Sequence, residues 1–96
     1  MGRRELIVAG PADEPRVAEQ VRELRADADG AQERELEVTE RRADAFSITL
    51  VGKDGAVKAR WEDVVSRGEL WARIDAMPSR RRELRADAQE TRSGPV

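Results

Sequence analysis

Two periods of apolar spacing alternate along this chain, and the switches between them mark out its elements. Residues 5–9, "ELIVA", form a short continuous apolar run, the pattern of a strand buried on both faces. Gly10-Pro11 stops it. Val17, Val21, Leu24 and Ala28 then recur at i, i+4, i+7 and i+11 among Arg, Glu and Asp. That spacing predicts one amphipathic helix, capped by Asp13, tolerant of Pro15 in its first turn and ending near Gly30.

The period then changes to two. In "ELEVTE" (35–40) Leu36 and Val38 face one way and Glu35, Glu37 and Thr39 the other, a half-buried strand. A five-residue link, "RRADA", leads to "FSITLV" (46–51), where Phe46, Ile48 and Leu50 oppose Ser47, Thr49 and Val51. Next, Val57, Ala59 and Trp61 oppose Lys58, Arg60 and Glu62. Ser66 and Glu69 make a capping box for a helix whose Leu70, Trp71, Ile74 and Met77 share one face, with Pro78 ending it. "SRRRELRADAQE" can form a further short helix before a frayed tail, so the domain is expected over residues 1–85, with 86–96 as helix end and tail. "RELRADAD" (22–29) is echoed by "RELRADAQ" (82–89), but the flanks differ. The echo reads as two charged helices drawing on the same few residue types.

Between the two hairpin strands lies "GKDG", a lysine between glycines after an apolar run. A phosphate loop of the Walker type needs a Ser or Thr after the lysine and a helix behind it. Gly52-Lys53-Asp54-Gly55 has neither and leads into a strand. Asp-Gly between alternating runs predicts a tight turn, with Gly55 in the left-handed position. The start of the first helix, "GPADEP", offers no better anion site. Asp13 and Glu14 suit the helix dipole and repel an anionic substrate.

Composition narrows the chemistry. Of 96 residues 40% are charged and 3% aromatic, so one modest aliphatic core sits under a densely ionic surface. The chain has no cysteine and no histidine, which excludes thiol-redox activity, cysteine nucleophiles and thiolate or imidazole metal sites. No motif calls for a cofactor or a metal. The net charge of −2 hides a mild basic excess after residue 79, too weak for the concentrated footprint of general nucleic-acid binding. "MGRRELIVAG" has too few apolar residues for a secretory signal (about 7–15) or a membrane span (about 20). The chain as given is therefore expected to be soluble and cytoplasmic, or exported if a leader has been removed.

The order of elements, with "RELIVAGPADEPR", "FSITLVGKDGAVKARW" and "ELWARIDAMPSRRREL", resembles a thioredoxin-like family of unknown function. Its members include small bacterial proteins, and similar domains close the vertebrate sushi-repeat-containing proteins. The resemblance covers roughly residues 3–85. Its most specific pieces are Gly52-Lys53-Asp54-Gly55 followed by Lys58, and Ile74-Asp75-Ala76-Met77-Pro78 followed by Arg80 and Arg81. It implies an α/β, thioredoxin-like two-layer sandwich of order β-α-β-β-β-α. The sheet would be four-stranded and mixed, in order 2-1-3-4, with helices mainly on one face and a short C-terminal helix beyond. It implies no established activity, and fold alone does not supply chemistry.

A thioredoxin carries a helix between strands two and three that covers the second sheet face. The "RRADA" link leaves no room for one, so that face is expected to be bare and polar. Its side chains fit: Glu37 and Thr39 on strand two, Thr49 on strand three, Lys58 and Arg60 on strand four. Such a face is either cross-strand polar pairing in water or a docking surface for a protein partner or a second copy, with charges setting orientation. Arg80-Arg81-Arg82 is the other exposed feature expected, its cations opposing the helix dipole unless they meet an acid such as Asp75. Trp61 and Trp71 are read as core residues. The leading function is a non-catalytic protein-interaction or scaffold module. The alternatives are an enzyme of unfamiliar type using surface carboxylates, or weak nucleic-acid binding through the arginine cluster.

Overall fold

The computed structural model describes residues 2–78 and 80–85. Its elements are β1 (Arg4–Gly10), α1 (Pro15–Arg25), α2 (Ala28–Glu33), β2 (Leu36–Arg42), β3 (Ser47–Val51), β4 (Val57–Trp61) and α3 (Arg67–Asp75). A last helical stretch, α4, covers residues 80–85. The expected tail, 86–96, lies outside the described residues. The chain is α/β with one mixed sheet in order β2-β1-β3-β4. β1 and β2 run parallel, as a strand-helix-strand crossover requires, and β3 and β4 are antiparallel additions.

One face of the sheet carries the core. Leu6, Val8, Leu36, Ile48 and Leu50 pack with Val21 and Leu24 of α1 and with Leu70 and Ile74 of α3. Both long helices therefore lie on the same side, and burying these aliphatic side chains supplies most of the driving force for the fold. Half of the expected capping box at α3 is seen: the Glu69 N–H donates to Ser66 Oγ at 3.2 Å, while the Glu69 carboxylate accepts from the Trp61 indole N–H at 2.8 Å. α3 ends at Asp75 rather than at Pro78, and Met77 still reaches the core.

The expected single helix over 13–30 is two helices. Glu14, not Asp13, caps α1, and the helix stops at Arg25. Asp27 leaves helical backbone (φ −134°, ψ 65°), and its carboxylate accepts from the Gly30 N–H at 3.0 Å, starting α2. A side chain that satisfies a backbone donor this way competes with continued helix. Trp71, 44 residues away, donates its indole N–H to the same carboxylate at 3.0 Å and pins the break. Ala28, expected on the buried face, is exposed, while Gly30 is buried.

β2 also differs from expectation at both ends. It begins at Leu36, because Glu35 takes a left-handed backbone (φ 51°). It runs on to Arg42, so the link to β3 is shorter than "RRADA". The link still crosses β1, and Phe46 at its end is buried with the Arg16 guanidinium 4.5 Å above its ring. Among the described residues no helix is long and apolar enough to cross a membrane.

Candidate functional site

The "GKDG" stretch is a turn. The Gly55 N–H donates to the Gly52 carbonyl at 3.0 Å, the Gly52 N–H to Ala56 at 2.9 Å, and Gly55 sits at φ 81°. Asp54 accepts from the Ala56 N–H at 3.0 Å and pairs with Lys58 at 2.9 Å. These contacts hold the Asp54 carboxyl below its ordinary range, the Lys58 hydrogen bond first among them. Lys53 is no phosphate ligand either: it pairs with Glu35 and, at 2.6 Å, with Glu83.

Just beyond the turn the ladder slips. Pairing passes from Leu50↔Ala59 to Val51↔Val57, leaving Lys58 without a partner across the ladder. A bulge of this kind breaks the period-2 alternation. Val57, expected in the core, is 64% exposed opposite Val51. Lys58, expected beside Arg60 on the bare face, turns instead to Asp54.

The remaining face residues form rows across the sheet. Thr39, Ile7, Thr49 and Arg60 make one row, and Glu37, Glu5, Val51 and Val57 the next. All are half-buried or exposed, and no described element covers them. Thr39 donates to Glu5 at 2.8 Å. The face is thus acidic toward β2, weakly apolar at the centre and basic at Arg60. Among the described residues neither Glu37 nor Arg60 has a carboxylate or cation within ion-pair distance.

The arginine cluster divides. Arg80 is only 3% exposed and pairs with Glu33 at 3.2 Å, Asp75 at 3.3 Å and Glu83 at 3.5 Å. The expected Asp75 contact is therefore made, and Arg80 is withdrawn from any exposed basic patch. Arg81 and Arg82 stay exposed. Sequence reading missed the rest of this network. Arg4, fully buried in β1, donates to the Arg34 carbonyl at 2.7 Å and pairs with Glu83 at 3.2 Å. Arg34 pairs with Asp75 at 3.0 Å and stacks 4.8 Å over the Trp71 ring. The only signal in the sequence was an arginine at an inward-facing strand position.

The network ties α4 to the strands at the turn end of the sheet. Burial alone would raise the Glu83 and Asp75 carboxyls. For Glu83, hydrogen bonds from Lys53 and Arg4 outweigh it, and for Asp75 those from Arg34 and Arg80 do, so both titrate below their ordinary range. Against this end lies a cavity of about 630 Å³. Gly52, Lys53 and Lys58 line it from the hairpin, and Met77, Pro78 and Arg82 from beyond α3. The two segments that carry the resemblance meet here, although they are well separated in sequence. Among the described residues no group of three or more acidic side chains is placed to hold a metal ion.

Residues 38–83 match a family described as a domain of unknown function, DUF4174. The matched stretch runs from β2 through the hairpin and α3 to Glu83, and so spans both walls of the cavity and most of the bare face. No curated protein matches the chain.

Proposed function

We propose that the chain is a non-catalytic protein-interaction module with a thioredoxin-like fold, lacking redox cysteines and docking through its bare sheet face. The observation that carries this reading is the layout of unneutralised charge. Glu5 and Glu37 are direct cross-strand neighbours, an arrangement that destabilises a sheet. Arg60 stands two strands from Glu5 and, among the described residues, has no carboxylate of its own. A protein stabilised only from within would gain by pairing these groups; a docking face leaves them for a partner.

A second copy fits that face. Rotation by a half-turn about an axis along the strands, with two faces stacked, sets β2 of one copy over β4 of the other. The acidic side of each then meets Arg60 of its partner, an isologous contact. Stacked sheets pack at roughly 10 Å with strands near −30°, close enough for these side chains to touch.

Sedimentation velocity over a concentration series tests the reading, comparing wild type with Arg60→Glu, Glu37→Arg and the doubly reversed variant. The expected result is self-association that either single reversal weakens and the double reversal restores. A monomer at every concentration, or association indifferent to all three changes, would remove the second copy as occupant. Cross-linking in a lysate with the same variants then asks whether any other protein depends on the face.

The alternatives draw less from the geometry. The carboxyls whose titration is displaced, Glu14, Asp27, Asp54, Asp75 and Glu83, are all displaced downward, which suits permanent anions better than proton donors. Burial of Arg80 shortens the basic run that nucleic-acid binding would use.

A further inference from the structure

We propose that the cavity between the β3–β4 turn and the Met77–Pro78 segment binds a small carboxylate with an aliphatic body. Arg3 and Arg82 would hold the head group, and Met77 and Pro78 the chain. Its volume of about 630 Å³ falls within the range of small-molecule sites, roughly 300–1,000 Å³.

The charges around it select the sign of the ligand. Four cations line the cavity, Arg3, Lys53, Lys58 and Arg82, against two carboxylates, Glu35 and Asp54. The whole chain carries −2, so this local excess is opposite to the molecule's balance. Lys53 and Lys58 are already engaged, with Glu35, Glu83 and Asp54. Arg3 and Arg82 are exposed and, among the described residues, have no ion-pair partner. A guanidinium matches a carboxylate with two parallel hydrogen bonds, and Arg3 and Arg82 both line the cavity.

Met77 and Pro78 in the same lining select the body. Met77 reaches the core with its inner side and the cavity with its edge, and a thioether adapts to an alkyl chain of varied shape. Two glycines let the backbone form the floor. A Cβ on Gly52 would stand 2.5 Å from Lys58 Cε, and one on Gly2 would stand 2.8 Å from the Lys53 carbonyl oxygen. The ion pairs of Lys53 fix that floor against the sheet, so little ordering remains to be done on binding.

The test uses ¹⁵N-labelled full chain titrated with sodium decanoate below its micelle concentration, with inorganic phosphate and decyltrimethylammonium as parallel probes. Saturable decanoate shifts are expected at the Gly52, Lys53 and Met77 amides, with phosphate and the cationic amphiphile weaker by at least about tenfold. Removing both guanidiniums in Arg3→Ala/Arg82→Ala, two exposed positions, should weaken decanoate about tenfold or more, since a charge-assisted hydrogen bond is worth about 1.5–3 kcal/mol. A thermal melt confirms that this variant folds. Phosphate binding as tightly as decanoate, equal binding of the cationic amphiphile, shifts centred on the bare face, or no saturable shift at all would overturn the proposal. The bare face carries none of these residues, so failure here leaves the docking proposal standing, and the reverse.

Discussion

Gln20 and the backbone of Val65 hold each other twice. The side-chain amide donates to the Val65 carbonyl at 3.1 Å and accepts from its N–H at 2.8 Å. The two residues are 45 apart in sequence and both are buried, so this pair joins α1 to the segment that leads into α3. Gln20→Met keeps the volume and loses both bonds, stranding a buried donor and acceptor. Each stranded group costs about 1–3 kcal/mol, so a loss of about 2–6 kcal/mol is expected in urea unfolding. An unchanged midpoint would mean that the segment relaxes to water without cost.

Neighbouring arginines should differ sharply. Arg80 is buried under three carboxylates, all of them partly open to solvent. Arg80→Ala leaves Asp75 and Glu83 short of a donor, and a loss of about 2–3 kcal/mol is expected, below the full 3–5 of a wholly buried pair. Arg81→Ala, at an exposed position, should stay within about 0.5 kcal/mol of wild type. Equal effects in denaturant titrations would refute the division of the cluster.

These two cases also show what the sequence could and could not announce. Strand one follows from its apolar run, strands two to four from period-2 alternation and the turn from Asp-Gly, all local signals, whereas the order 2-1-3-4 is what the resemblance implies and the sheet shows. The break at Asp27 depends on Trp71, and the burial of Arg4 depends on Glu83, 79 residues away. Neither partner is visible in a window of ten residues. Val57 misled for a different reason: a bulge adds one residue, and one residue inverts the face of everything before it. Of the candidate surface, Glu37, Thr39, Thr49 and Arg60 share a face as expected. Lys58 left it because the bulge turns it toward Asp54, and Arg80 because Glu33, 47 residues away, joins Asp75 in burying it.

Acid should loosen the molecule through α4. Glu83 and Asp75 titrate below their ordinary values of 4.5 and 3.8, since pairing with Lys53 and Arg4, and with Arg34 and Arg80, outweighs their burial. A carboxyl depressed in the folded state contributes stability that is complete above its unfolded pKa and is lost as pH falls through the folded one. Stability should therefore be level from pH 7 to about 5 and fall below that. Glu83→Gln should start lower at pH 7 and fall less steeply, the two curves drawing together near about pH 3. Parallel curves across that range would show that Glu83 has no part in the acid response.

The last expectation compares two left-handed residues at the same end of the sheet. Gly55, at φ 81°, has nothing within 4 Å of where a Cβ would stand, so Gly55→Ala tests backbone conformation alone. A loss of about 1–2 kcal/mol is expected, the usual cost of an L-residue in that region, and Gly55→Asn should recover part of it. Glu35, at φ 51°, bears that cost already while its half-exposed side chain pairs with Lys53. Glu35→Gly relieves the backbone, loosens the unfolded chain by about 0.4–1 kcal/mol and gives up a solvent-screened pair worth about 0.2–1 kcal/mol. The terms oppose, and a net change within about 0.5 kcal/mol follows. A loss at Glu35→Gly as large as that at Gly55→Ala would mean that the Lys53 pair stabilises this end of the sheet far more than its exposure allows, and that Lys53 holds the cavity floor chiefly through Glu35 rather than Glu83.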